Sequence, residues 1–473
     1  MRTRTEHDSL GTLEVPADVY WGIETLRAVR NFPISGLRAH PELVRATALV
    51  KQAAAEVNVA LGELDVERGA AVARAAAEVA AGGLADQFVV DVFQAGAGTS
   101  HHMNVNEVLA NRALELLGRP RGDYAHLDPH DHVNLGQSTN DVVPTAMRVA
   151  ALRLLQRLDD ALAGLIGAFE DKAREFDHVV KAGRTHLQDA VPVRLGQEFA
   201  AYAAALDKDR ERLRRTAEVL AELNLGGTAA GTGLNAHPRF REAAVARLRE
   251  LSDLPVRPAA NPMALMQSMA DFADASAALR TLALDLIRIA NDLRLLASGP
   301  RTGLAELALP AVQPGSSIMP GKVNPVMAEM LDMVGFQVLG NDATIAVAVQ
   351  AGQLELNVML PVIAHDLLQS LEILAAGLRA FTERAVRGLT ADADRCRRNF
   401  EQSLALATVL TPTLGYDRAA ELARDAARSG RGVLELAAER GLLGTAERDR
   451  LAGDPRALTE PGRVGSKDRG SRR

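Results

Sequence analysis

Four runs of the chain, about 143–177, 192–222, 263–298 and 355–387, are poor in proline and repeat apolar side chains at helical spacing. In the third, Leu279, Leu282, Leu284, Leu286, Ile287, Ile289, Leu293, Leu295 and Leu296 fall on nearly every side. A helix apolar all round is expected to be buried all round. At 1.5 Å per residue such runs make four or five rods of roughly 45–55 Å. One subunit could hardly cover them, so the expectation is a mainly α chain, built on a long helical bundle, that associates with copies of itself. Aromatic residues are only 3% of the chain while Ala and Leu abound, which suits helices packed through small and γ-branched side chains rather than a β-sandwich.

The 473 residues carry a formal charge of -6 with both signs interspersed, so neither a nucleic-acid nor a membrane surface is indicated and a small-molecule partner is expected. The single cysteine, Cys396, excludes an internal disulfide and a thiolate metal cluster. With no apolar leader and no uncharged run of spanning length, a cytoplasmic location is expected.

Between the runs lie polar, glycine-rich loops. Residues 1 to about 38 show no sustained period and read as an irregular arm. Helical spacing over 40–118 is broken at 94–107, and a loop at 127–141 ends in Ser138-Thr139-Asn140-Asp141, a good N-cap that would aim backbone N–H groups forward. Further loops fall at 181–192 and 225–238. The loop Gly315-Ser-Ser-Ile-Met-Pro-Gly-Lys-Val-Asn-Pro325 cannot be helical: glycines allow unusual backbone angles and prolines fix φ. Its composition is that of an active-site lid. After about 388 the helices shorten, and the basic end of the chain is expected to be disordered. Across the loops one set of side chains recurs: Thr99; Ser138, Thr139 and Asn140; Thr185 and His186; Ser316, Lys322 and Asn324. Hydroxyl, amide and cationic donors of this kind hold carboxylates, so loops brought together would bind a small dicarboxylate with a serine facing it.

The 315–325 loop, Gln137-Ser-Thr-Asn-Asp141, Gly183-Arg-Thr-His-Leu-Gln-Asp-Ala-Val-Pro192 and Ile289-Ala-Asn-Asp-Leu-Arg-Leu-Leu-Ala-Ser-Gly-Pro-Arg301 resemble, in this order, the motifs of the aspartase/fumarase superfamily. The likeness extends over nearly the whole chain. It implies a three-domain subunit: an N-terminal domain over 1–140, a central bundle over 141–388 carrying the 315–325 loop, a small helical domain over 389–462 and a tail over 463–473. It also implies a homotetramer around twenty helices, with active sites built from loops of three subunits. By the same resemblance Ser316, Lys322 and His186 are catalytic, with Ser316 the base that removes a Cβ proton next to a carboxylate. Thr99, Thr139, Asn140, Thr185, His186, Lys322 and Asn324 hold the carboxylates, and Ser138 lies near the leaving group. Lys322 and nearby backbone N–H groups would stabilise the serine alkoxide. No cofactor is required; a divalent cation such as Mg would at most activate, and no metal ligand set is assigned.

Tyr20-Trp-Gly-Ile-Glu-Thr-Leu-Arg-Ala28, Gly340-Asn-Asp-Ala-Thr344 and Gln350-Ala-Gly-Gln-Leu-Glu-Leu-Asn-Val-Met-Leu-Pro-Val-Ile363 are most similar to the aspartate ammonia-lyase branch. The expected reaction is therefore a carbon–nitrogen lyase, L-aspartate to fumarate and ammonia. The alternatives are a carbon–oxygen lyase, class II fumarate hydratase, and a non-catalytic scaffold of the same fold. The accessory dicarboxylate turn of fumarases reads Asp128-Pro-His-Asp131 here and is not expected to persist. One departure from the motifs stands out: His102 occupies a position where the family has asparagine, and an imidazole can titrate near neutrality.

Blander roles are expected elsewhere. Adjacent His101 and His102 do not make a metal site with Asp128, His130 and His132. The run 226–233 lacks the lysine of a phosphate loop and reads as a tight turn. Asp271, Asp285 and Asp292 read as inter-helix pairs, and Cys396 as an ordinary spare thiol.

Overall fold

A computed structural model describes residues 2–444, 451 and 455–461, so the expected tail over 463–473 lies outside the described residues. The chain is mainly helical. Five long helices dominate: Thr139–Glu175, Leu195–Leu220, Ala270–Leu296, Val326–Gln350 and Leu360–Phe381. Four correspond to the expected runs, and the fifth, Val326–Gln350, starts directly after the 315–325 loop. The run expected over 263–298 divides because Ser268 is extended (φ −108°, ψ 125°); its hydroxyl accepts from Ala270 N–H at 3.3 Å and restarts the helix. Burial on every side is not met within one chain: Leu284 is 52% and Leu295 40% exposed. Among the described residues, no helix is long and apolar enough to cross a membrane.

The contacts divide the chain into two compact units. The first takes 1–160, 209–284 and 334–376, the second 161–208, 285–333 and 377–473. The core of the first unit is built of helices Pro41–Leu61, Val66–Ala80 and Thr99–Leu116, where Ala48, Ala71, Ala75, Ala76, Ala110 and Ala113 let the backbones approach and Val72, Val105 and Leu109 fill the space. The arm over 1–38 is not irregular. Strands Thr3–Asp8 and Gly11–Pro16 pair antiparallel, and a helix covers Ile23–Asn31. The strands show no apolar alternation because only Glu6 and Val15 are buried, and the helix lacks a local cap. Its N-terminal amides go instead to two distant buried carboxylates. Ile23 N–H donates to Glu6 (2.8 Å); Gly22 and Glu24 N–H (2.8 Å each) and the Thr25 hydroxyl (2.6 Å) donate to Glu107. A Cβ at Gly22 would lie 2.6 Å from the Glu6 carboxylate, which is why the position has none. In the same unit, fully buried Arg148 donates to Asp271 at 2.6 Å, joining two of the long helices as expected for an inter-helix pair.

In the second unit, 180–194 is a hairpin rather than the expected loop, and for that reason the following helix starts at Leu195, not 192. Val180–Thr185 pairs with Gln188–Arg194, with a bulge at Ala182/Gly183. The base of the hairpin is fixed by charge. Lys181 Nζ meets Glu198 (2.8 Å) and Glu306 (3.1 Å), and Arg184 donates two hydrogen bonds to Glu306 at 3.0 and 2.8 Å. Asn399 supplies a further donor to Glu306 at 2.9 Å. Short helices after 392 bury Phe400, Leu406, Leu410, Leu422 and Leu436 in a separate small core.

Removing the Glu306 carboxylate would leave Lys181 and Arg184 without their shared buried partner. Glu306→Ala is therefore expected to lower unfolding free energy by about 3–5 kcal/mol, read as a fall in the urea midpoint at unchanged slope. A loss under about 1 kcal/mol would mean the cations re-pair elsewhere at little cost.

Candidate active site

The expected donors are divided between the two units, and each unit is described by itself. In the first, Ser138 begins the longest helix through a reciprocal cap. Its Oγ accepts from Asn140 N–H (3.2 Å), while Asp141 Oδ1 accepts from Ser138 N–H (2.9 Å). The second Asp141 oxygen accepts from Gly226 and Thr228 N–H, at 2.9 and 3.0 Å. Asn140 donates to Ala229 O at 2.8 Å. The glycine-rich run is thus a turn whose amides are occupied by a carboxylate of the same chain. Asp141 is fully buried, which pushes its carboxyl up to about 6.

Thr99 opens the helix Thr99–Leu116 behind Gly98 (φ 92°) and donates to Gly96 O at 2.6 Å. One turn on, the His102 ring lies with Nδ1 2.8 Å from Thr139 Oγ1. His102 therefore brings the starts of two helices together. Its neighbour His101 turns to a different hydroxyl, Thr47, at 3.1 Å. Thr47 already donates to Leu43 O (2.8 Å), so His101 Nε2 carries the proton. Burial pushes both rings below the usual histidine range, His101 to about 4. No group of three or more His, Cys, Asp or Glu among the described residues is arranged to hold a metal ion.

Lys51 was missed from sequence. It sits within an alanine-rich helix, fully buried, and donates to Asn134 Oδ1 (2.9 Å) and Gln137 Oε1 (3.0 Å), directly behind Ser138. Burial draws its ammonium well below the usual lysine range. A lysine amid apolar residues was the only signal. The turn at 128–133 is closed: Asp128 Oδ1 accepts from His130 and Asp131 N–H (2.7 and 3.0 Å), and His130 Nε2 is 2.6 Å from Glu24.

In the second unit, Thr185, His186 and Leu187 form the tip of the hairpin. His186 and Leu187 both adopt left-handed backbone (φ 54° and 58°), the geometry of a two-residue primed turn in which glycine and asparagine are usual. Leu187 is 70% exposed, so packing of its side chain does not account for a leucine at this turn. The 315–325 loop is closed on itself. Gly315 N–H donates to Lys322 O (2.7 Å), and Asn324 Nδ2 donates to Gly315 O (2.7 Å). Ser316 Oγ accepts from Met319 N–H at 2.8 Å and Ile318 N–H at 3.2 Å. These two donors are the kind that stabilise an alkoxide. The exposed Lys322 ammonium has no hydrogen-bond or ion-pair partner among the described residues. The loop is brought together with itself; among the described residues no hydrogen bond joins it to His186.

Comparison with known proteins follows this geometry. A family described as lyase matches residues 11–340, and one described as fumarase C C-terminus matches 406–460. The chain is 48% identical to the aspartate ammonia-lyase of Bacillus subtilis (strain 168) over 462 residues, 98% of this chain and 97% of the other. It is 51% identical to the class II fumarate hydratase of Halobacterium salinarum over 466 residues, 98% and 99%. Among solved structures, the fumarate lyase:delta crystallin of Brucella melitensis bound to cobalt superposes with a TM-score of 0.93 at 50% identity, covering 97% and 100%.

Cys396 is not among the expected donors. It is fully buried, and burial with the nearby Glu306 charge pushes its thiol up to about 12 despite the neighbouring arginines in sequence. The thiol stays protonated at pH 8. A disulfide reagent is therefore expected to find almost no reactive thiol in the native protein and about one per chain after denaturation; fast native labelling would contradict the burial.

Proposed function

The chain belongs to the aspartase/fumarase superfamily and is a lyase, and on that premise we propose that it is an aspartate ammonia-lyase, converting L-aspartate reversibly to fumarate and ammonia. The observation that carries an elimination is the Ser316 hydroxyl with two backbone N–H donors aimed at its oxygen. As an alkoxide it takes the Cβ proton, and the electron pair moves into the adjacent carboxylate as a dianionic aci-carboxylate. That species collapses to the double bond while the Cα–N bond breaks and the amine leaves. Preorganised donors are what make so weak a base and so charged an intermediate workable, each worth about 2.7–4 kcal/mol of barrier. Lys322, without a hydrogen-bond or ion-pair partner among the described residues, would help stabilise the alkoxide and hold a carboxylate, and Asn324, Thr185, His186, Thr99, Thr139 and Asn140 would supply further carboxylate donors. Ser138 would face the amine.

The reading includes a homotetramer with sites shared between copies. The face Phe336, Gly340, Ala343 and Val347 on Val326–Gln350 is exposed and apolar or small at three- and four-residue spacing, the pattern of a helix seam that another helix covers. A cytoplasmic setting, suggested by the lone thiol, belongs to the same reading.

For the substrate, support for aspartate lies in the 350–363 segment and the closed 128–133 turn, where an accessory dicarboxylate would find its amides occupied. Class II fumarate hydratase is the second reading, favoured by the Halobacterium relative. An inert scaffold is disfavoured by the intact donor set.

The test is the ultraviolet absorbance of fumarate on adding L-aspartate or L-malate to the purified protein. Growth with aspartate is expected; growth with malate alone would replace the ammonia-lyase by the hydratase. Ser316→Ala is expected to cut turnover by about 10³-fold or more without altering assembly, and retained activity would remove Ser316 as the base. Phe336→Asp is expected to shift the protein to smaller species on a sizing column and abolish activity with it; an unchanged tetramer would remove the seam.

A further inference from the structure

His102 is 1% exposed, and its Nε2 is buried with no hydrogen-bond partner among the described residues, while Nδ1 lies 2.8 Å from Thr139 Oγ1. A neutral imidazole has one N–H, and two assignments are open to it. If Thr139 donated to Nδ1, the proton would sit on Nε2, a fully buried donor with nothing to receive it. The opposite tautomer leaves an unused lone pair there. Orphaned buried donors are rarer than orphaned acceptors. Burial, with the Lys51 charge, holds the ring unprotonated, so a single N–H has to be placed.

We propose that His102 is a positioning residue: its Nδ1–H donates to Thr139 Oγ1 and so commits the Thr139 hydroxyl proton to the bound dicarboxylate. A threonine hydroxyl has one proton and can either donate or be turned inward. With its oxygen already accepting from His102, and no other described partner, the half-buried Thr139 hydroxyl presents a donor outward from the helix start. This rests on the reading of Thr139 as a carboxylate ligand. The specificity it confers is for an acceptor-only, anionic group rather than an amide or hydroxyl that could itself supply the proton.

The experiment compares the full-length wild-type protein with His102→Leu, His102→Asn, Thr139→Val and the double variant His102→Leu/Thr139→Val. Each is assayed by steady-state kinetics on the acid the wild type turns over and by thermal unfolding. Leucine removes the donor and the unpaired nitrogen together, so its unfolding midpoint is expected to equal or exceed wild type while KM rises about tenfold, the loss of one hydrogen bond to a charged group. kcat is expected to change less than about threefold. Asparagine, whose amide can also donate to Thr139, is expected to bring KM most of the way back, and the double variant to be no worse than Thr139→Val alone. Wild-type KM in His102→Leu would overturn the inference. So would loss in Leu and Asn alike with a lowered midpoint, which marks a purely structural histidine. If Leu does not fold, His102→Met, equally without a donor, takes its place in the comparison. Should Thr139→Val itself leave KM unchanged, the reading of Thr139 as a ligand falls, whereas a raised KM in Thr139→Val beside an unaffected His102→Leu removes only the role given to His102.

Discussion

A single buried carboxylate, Asp141, fixes both the start of the longest helix and the glycine-rich turn beside it. One of its oxygens closes the cap on Ser138 and so fixes the first residue of the longest helix; the other fastens the glycine-rich turn through two backbone amides. Ser138, Thr139 and Asn140 consequently leave the helix start in set directions, with little freedom left to lose when a ligand arrives. Lys51 lies behind the same segment, holding Asn134 and Gln137. Buried charges of this sort contribute little net stability. What they supply is position.

The second unit uses the same device with a different partner. Glu306 gathers Lys181, Arg184 and Asn399, and the hairpin rising from that anchor ends at His186 and Leu187 in left-handed backbone. Rigid charge at the base and strain at the tip belong together: a turn that costs on the order of 1–3 kcal/mol per residue persists only where the flanking strands over-determine it. The 315–325 loop is arranged otherwise. It is exposed, with Ile318 at 83%, and its internal hydrogen bonds give it a shape of its own. Its shape carries Ser316 together with the two amides that donate to its oxygen, donors that would make an alkoxide there easier to form.

These differences decide what could be read from sequence. The long helices were legible because tertiary packing there agrees with local periodicity, and the Ser138 cap because its partner, Asp141, is three residues away. The candidate donors stand out as a set because donors of one chemistry recur in loops that packing does not require. What could not be read is held by long-range charge. The helix Ile23–Asn31 is capped by Glu6 and Glu107, the second some eighty residues on. The 180–194 hairpin carries polar residues and a His-Leu turn, signals that local turn chemistry does not provide. Lys51 and Glu306 looked like ordinary charges; only burial shows otherwise.

The near-equal likeness to ammonia-lyases and hydratases has a physical origin in the same geometry. Both eliminations pass through a carbanion next to a carboxylate, so both need a base, donors to its oxygen and donors that hold the carboxylates. The leaving groups differ at one atom of the substrate. A site can distinguish an amine from a hydroxyl with one or two polar groups, since an unpaired buried donor or acceptor is what rejects the wrong partner. Identity near 50% over almost the whole chain therefore measures the shared scaffold and clamps far more than the discriminating contact. Under the reading proposed above, that contact would lie within reach of Ser138, the residue assigned to the leaving group.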